Sequence, residues 1–257
     1  MKQSSGVLYS RRMLPLRQAF LIAYMTGILW LRRNPISLVF TAISPFSLLF
    51  VLFVATGGQY VHLAVAGSLV MALVGYGLAL GQDISFYKTE YKIQDVFVAS
   101  PVSPLTYMLG LALSELLFGL PALIVLAALV VSFGGSILSI PLLIATILLI
   151  WGSMSSMGFF LSSHMLHMRN ATQIISFVNV VLAVLPPVFY SIDMVPDALR
   201  PLAYALPTTH ASLMLQYIIG ETPIPADWSL GFGFAVQAAY LIGFVILART
   251  RAIWRES

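Results

Sequence analysis

The 257-residue chain is 60% apolar and 9% charged, with a mean hydropathy of +0.95 and a formal net charge of +4. Soluble domains carry about a quarter charged residues, so the composition excludes an ordinary soluble fold and points to an all-α protein that crosses a membrane several times. No cysteine is present, which excludes a disulfide framework, thiol chemistry and a thiolate metal site.

Residues 1–35 carry Lys2, Arg11, Arg12, Arg17, Arg32 and Arg33 and no acid. The stretch lacks the small-residue cleavage site of a signal peptide. Its thirteen-residue apolar run, Ala19–Leu31, is short of the ~20 residues a spanning helix needs. It reads as an amphipathic helix lying in the interface, basic side chains toward phosphates; the other reading is an extra, tilted span. Residues 36–56 form the first predicted span, kinked at Pro45 because proline removes a helix hydrogen bond. The second, 63–82, is rich in small residues, and Gly77 and Gly81 make a GxxxG that permits close helix approach, weak evidence for a dimer contact.

Residues 83–104 read as a polar loop with mixed charge (Lys88, Glu90, Lys92, Asp95) and then an apolar run, Val96–Ala99. Apolar side chains on a water-facing segment imply a protein partner or a fold back onto the bilayer or the N-terminal helix. Ser100, Pro101, Ser103 and Pro104 signal the start of the next helix. The third span, 105–131, carries Glu115 inside it, and the fourth is 140–161. A short loop with His164, His167 and Arg169 precedes the fifth span, 173–192.

That span runs into Pro186–Gln216, which holds Pro186, Pro187, Pro196, Pro201 and Pro207. The prolines forbid a continuous helix, and Asp193, Asp197 and Arg200 are costly in hydrocarbon. A re-entrant pair of short helices over about 187–216 follows; such backbone is tolerated only against protein or a watery cavity. Asp197 and Arg200 are three residues apart, a spacing that lets them pair on one helix face. Glu221, Pro223, Pro225 and Asp227 mark a polar turn, 229–248 is the sixth span, and Arg249, Arg251 and Arg255 follow. The expected organisation is a cytoplasmic tail and interfacial helix over 1–35, one six-helix transmembrane domain over 36–248, and a cytoplasmic tail over 249–257.

The charges support that threading. With the N-terminus inside and six spans, 12 of the 13 basic residues fall on the cytoplasmic side and only Arg200 falls outside, as the positive-inside rule requires. Asp193, Asp197, Glu221 and Asp227 lie in the last outer region. Both termini are then cytoplasmic in a cell (inner or plasma) membrane. The positive charge is explained by topology and gives no reason to expect a nucleic acid.

No GxxxxGK[ST] phosphate loop occurs, and no residue set resembles a nucleophile–base pair or an acidic metal cluster. The chain is expected not to be an enzyme, and active transport would draw its energy from a partner or an ion gradient. Glu115 lies ten residues into its span, about 15 Å at 1.5 Å per residue. An intramembrane carboxylate is a candidate proton or cation site or substrate contact; a neutral, hydrogen-bonded glutamate packed between helices is the equal alternative. His164 and His167 without a carboxylate or thiolate partner are a poor metal site and read better as a polar turn complementing a helix C-terminus. No metal is expected.

The run Asp95–Ser103 followed by Tyr107 and Gly110 resembles the segment between spans two and three of ABC-2 type transporter permeases. Val188-Phe189-Tyr190, Met194-Val195-Pro196, Leu199, Ala203-Tyr204, Pro207 and Thr209-His210-Ala211 resemble the re-entrant hairpin of the same family. Pro187, Leu206, Leu111 and Gln216 depart from residues frequent there. The resemblance implies the permease subunit of an exporter, working as a homodimer or beside a homologous permease, with two copies of an ATP-binding subunit that hold ATP and Mg; this chain itself binds no cofactor. It implies an ATPase-coupling interface at Arg11, Arg12, Arg17, Glu90, Asp95, Phe97 and Pro101, and an outer gate at Pro187, Phe189, Tyr190, Pro196, Pro207 and His210. The alternatives are a gradient-driven carrier using Glu115 and a non-transport membrane scaffold. The absence of an extramembrane domain favours an amphiphilic or lipid-like cargo.

Overall fold

A computed structural model describes residues 15–134, 139–165, 167–220, 224–225 and 228–252. Lys2, Arg11, Arg12, Glu221, Pro223, Asp227 and Arg255 therefore lie outside the described residues. Within them all regular structure is helical. The order is α1 (Pro15–Ala23), a π-helical turn (Tyr24–Ile28), α2 (Leu29–Arg33), α3 (Ser37–Ala55), α4 (Val61–Thr89), α5 (Ile93–Val98), α6 (Pro104–Ser132) and α7 (Ile140–Ser163). There follow α8 (Met168–Ala183), a 3-10 turn (Ile192–Met194), α9 (Arg200–Tyr204), α10 (Pro207–Ile219) and α11 (Leu230–Thr250).

Five of these, α3, α4, α6, α7 and α11, are long and apolar enough to cross a membrane. The predicted fifth span is shorter than the sequence pattern implied. Helix α8 has 16 residues, about 24 Å at 1.5 Å per residue against a hydrocarbon core of about 30 Å. It stops ahead of Pro186 and Pro187 for the reason given above: a residue preceding proline is driven out of the helical region.

The helix starts follow the local chemistry. Ser103 accepts a hydrogen bond from the Thr106 amide (3.1 Å) to cap α6, and Ser229 caps α11 through the Phe232 amide (3.2 Å); each satisfies an otherwise orphaned donor. Helix α4 outruns the predicted end at residue 82. Ile84 is buried and Tyr87 is half-buried, so the inward stripe begun by Leu80 continues at i+4 and i+7. The first third of the expected polar loop is therefore helix, and Asp83 belongs to a packed element.

The bundle is built around α4. Of its most apolar window, 83% is buried, against 6% in α3 and 11% in α11; those two helices form the margins whose apolar surface must meet lipid or another protein. Helix α7 reaches α4 through the glycines. A Cβ on Gly77 would lie 2.4 Å from Met154 Cβ, and one on Gly81 would lie 2.8 Å from the Gly158 carbonyl oxygen. The GxxxG expected as a dimer contact is thus occupied within the chain. Pro45 removes the amide that would bond the Thr41 carbonyl in α3, and the Tyr76 hydroxyl donates to that carbonyl instead (3.0 Å). Tyr76 reaches it by crossing Gly119, where a Cβ would strike its ring at 2.3 Å.

The N-terminal segment is seated on α6. Gly110 leaves room for Ile22, and Gly27 in the π turn meets Ser114. Ala19, Ile22 and Ala23 are buried there, whereas Leu16, Phe20, Leu21 and Met25 are exposed.

Candidate functional site

Helix α10 breaks the usual relation between polarity and exposure. Twelve of its 13 residues are buried, including Thr208, Thr209, His210, Ser212 and Gln216. Buried polar groups need partners, and most of those on α10 find them in the broken backbone ahead of it, while the Thr208 hydroxyl has none among the described residues. Thr209 donates to the Ala203 carbonyl (2.6 Å) and Ser212 to the Val188 carbonyl (3.1 Å), while Gln216 donates to Ser212 (2.9 Å). The Trp228 indole donates to His210 Nδ1 (3.2 Å), and His210 Nε2 meets the Tyr204 carbonyl (2.8 Å). A carbonyl only accepts, so Nε2 carries the proton and Nδ1 is the bare acceptor. Gln237 and Tyr240 on α11 donate to the Pro207 and Ala205 carbonyls.

The rest of the proline-rich stretch sits over this helix. Pro187 and Val188 are buried, and Phe189 packs on Gly67 of α4, where a Cβ would lie 2.4 Å from the ring. Tyr190 donates to the Leu185 carbonyl (2.9 Å). Leu185, Pro186, Tyr190, Met194, Val195, Pro196, Leu199, Leu202, Ala203 and Leu206 surround a largely apolar cavity of about 570 Å³. Asp193, Asp197 and Pro196 face outward, and Arg200 pairs with Asp197 at 3.1 Å, as their spacing suggested.

At α5 the expected residues separate. Glu90, Asp95 and Pro101 are exposed, as is Arg17 on α1. Phe97 instead turns inward onto Tyr107, ring centroids 4.9 Å apart. The most exposed apolar residue of α5 is Val96, at 68%, with Ile93 less so.

Glu115 is 7% exposed, and its carboxyl lies within hydrogen-bonding reach of that of Asp83. Both line a half-open cavity of about 230 Å³ together with Thr26, Trp30, Ser37, Thr41, Phe86, Tyr87 and Phe118. The two histidines do not converge. His164 closes α7 by bonding the Phe160 carbonyl (2.9 Å), whereas His167 opens α8 in an extended conformation. Among the described residues no group of three His, Cys, Asp or Glu is placed to hold a metal.

The family model of the ABC-2 type transporter matches residues 17–219. The chain belongs to the ABC-2 type transporter family. No curated protein matches it. As a family member it is a multi-pass membrane permease component of an ABC transporter, a subunit that is not itself catalytic and whose family works with ATP-binding subunits.

The departures of this permease from the family pattern have local causes. Leu111 is 1% exposed and lies in the main core, and Gln216 is 5% exposed and bonded to Ser212; a free cationic side chain at either position would be buried. Sequence reasoning missed Asp83, taken as the start of a loop, and Trp228, which it did not single out. The continued apolar stripe at Ile84 and Tyr87 was the available signal for the first. Nothing local marks the second, because its partner lies eighteen residues earlier.

Proposed function

We propose that this permease is the membrane subunit of an exporter, crossing the bilayer six times with both termini in the cytoplasm. Two copies, or one copy beside a homologous permease, enclose the pathway, and two ATP-binding subunits that hold ATP and Mg drive it. The observation that carries the reading is the buried α10, braced against the backbone ahead of it. A broken, polar segment is stable at membrane depth only if protein satisfies its backbone, and here carbonyls at Val188, Ala203, Tyr204, Ala205 and Pro207 are each taken by a side chain. Such a braced element suits a gate. Pro187, Phe189, Tyr190, Pro196, Pro207 and His210 form it at the outer face, over the largely apolar cavity that fits an amphiphilic cargo. The N-terminal helix lies along the inner interface with its exposed Leu16, Phe20 and Met25 in lipid.

Coupling to the ATPase runs through Arg17, Glu90, Asp95 and Pro101, with Arg11 and Arg12 beside them. Phe97 acts from behind, holding α5 against Tyr107, while Val96 makes the apolar contact. Val96→Asp should therefore abolish cargo-stimulated ATP hydrolysis in the assembled complex without changing thermal stability. Phe97→Ala should lower stability by about 1–3 kcal/mol, below the ~3–5 of a fully buried Phe. Melting curves and ATPase assays on both variants separate the two roles.

The function itself is tested by reconstitution. The purified chain alone should hydrolyse no ATP, and co-reconstituted with its ATP-binding partner it should drive nucleotide-dependent export from vesicles. Hydrolysis by the pure chain would overturn the reading. So would flux driven by a pH gradient without nucleotide and lost in Glu115→Gln, the mark of a secondary carrier. No flux in the reconstituted wild-type complex, together with tolerance of Tyr190→Asp, would point to a scaffold.

A further inference from the structure

We propose that the cavity between α2, α3, α4 and α6 binds an organic cation, an ammonium carried on an apolar or aromatic body, between the carboxyls of Asp83 and Glu115. It rests on the transport reading for the cation being cargo.

The chemistry of the wall points one way. Two carboxyl groups in hydrogen-bonding reach hold at least one proton between them, and among the described residues no basic side chain lines the cavity. The pair can offer negative charge to a cation that enters, which takes the place of a carboxyl proton as that proton leaves to solvent. The three aliphatic hydroxyls on the same wall have already used their hydrogens. Thr26 donates to the Ile22 carbonyl (2.8 Å), Ser37 to Asn34 (2.7 Å) and Thr41 to Leu38 (3.1 Å). What they present is oxygen lone pairs, which attract a cation and repel an anion. Independently, aromatic rings complete the lining: Trp30 and Phe118 meet edge to face at 5.4 Å, with Phe86 and Tyr87 on the α4 side. Aromatic walls attract organic cations but give a bare metal ion no ligands.

Size agrees. A cavity of about 230 Å³ is many times the ~10–15 Å³ that holds one water, so an inorganic ion would rattle in it while an arylalkyl ammonium fills it. Local backbone is also unusual at this place. The turn that brings Thr26 to the wall is π-helical, a distortion found mostly at functional sites.

The test is equilibrium binding of benzyltrimethylammonium to the full-length chain in lipid nanodiscs, against neopentylbenzene, its uncharged carbon isostere. The cation is expected to bind at least about tenfold tighter than the isostere, and Asp83→Asn and Glu115→Gln are each expected to weaken it about tenfold, or 1.4 kcal/mol. Trp30→Leu should also weaken it, while Asp193→Asn, remote from the cavity, should not. If Glu115→Gln fails to fold, Asp83→Asn carries the test, since Asp83 is partly exposed. Equal binding of the isostere, undiminished binding in Asp83→Asn, or displacement of the probe by potassium at comparable concentration would each overturn the proposal. Cation binding in a chain that supports no ATP-driven flux would overturn the transport reading and leave the site standing. ATP-driven flux with no cation binding would overturn the site alone.

Discussion

Gly77→Ile is expected to unfold this permease or lower its stability more than any substitution outside its core. Gly77 lies where α4 and α7 cross, with Met154 Cβ at 2.4 Å and the Ser155 amide at 3.1 Å from the place a Cβ would occupy. The obstruction is a Cβ and backbone, which have no rotamer to change, so the helices themselves must separate. Overpacking costs about 1–3 kcal/mol where side chains can adjust, and this site should exceed that range. Separation would also uncover the adjoining contact of Gly81 with Gly158 and Ile175. The measurement is the melting temperature and the monodisperse fraction in detergent. Gly75→Ala is the control, because nothing lies within 4 Å of a Cβ at Gly75. A folded Gly77→Ile with unchanged melting would refute the close crossing.

His210→Ala should be the most damaging change in the hairpin. It leaves the Trp228 indole buried without its partner, at about 1–3 kcal/mol for an orphaned group, and removes the bond to the Tyr204 carbonyl, in addition to the space it opens. The same geometry sets a pH dependence. Burial pushes the His210 imidazole below its usual value, against a smaller opposing effect of the Tyr204 carbonyl. A proton on Nδ1 would also face the Trp228 N–H. The unfolded chain takes up its proton near pH ~6.5, before the folded chain does, so the unfolded state binds more protons in that range and stability rises with pH. The contribution of His210 is therefore complete above about pH 6.5 and declines as the pH falls from there toward the lowered value of the folded state. Melting temperature followed from about pH 8 down to about pH 5 should converge for wild type and His210→Ala. Parallel curves, or equal stability at the upper end, would contradict the arrangement.

Much of the architecture was legible one residue at a time. Ser103 and Ser229 announce their helices because capping is a local hydrogen bond. Pro186 and Pro187 announce the end of α8 because proline's effect reaches only its own turn. The acid–base pair of Asp197 and Arg200 follows from their three-residue spacing, though Asp197 lies in the turn ahead of α9 and not on a helix. Other features were misread where a local signal has two outcomes. Gly77 and Gly81 advertise a close approach without saying whether the visitor is a second copy or α7. Phe97 and Val96 are adjacent apolar residues on a short helix, and only packing against Tyr107 decides which one faces out.

The sequence by itself determined that the chain is a bundle of apolar helices, where most of them begin and end, the family it belongs to, and that a proline-rich stretch near the end must be braced by protein. Those conclusions depend on composition, on periodicity and on the backbone preferences of single residues. Only the tertiary structure decided what braces that stretch and what Glu115 meets. His210 and Trp228 are eighteen positions apart, and Asp83 and Glu115 thirty-two apart on different helices. Each pair is brought together by how α4, α6, α10 and α11 pack, and helix packing depends on the combined surfaces of several elements, which no local pattern in the chain encodes.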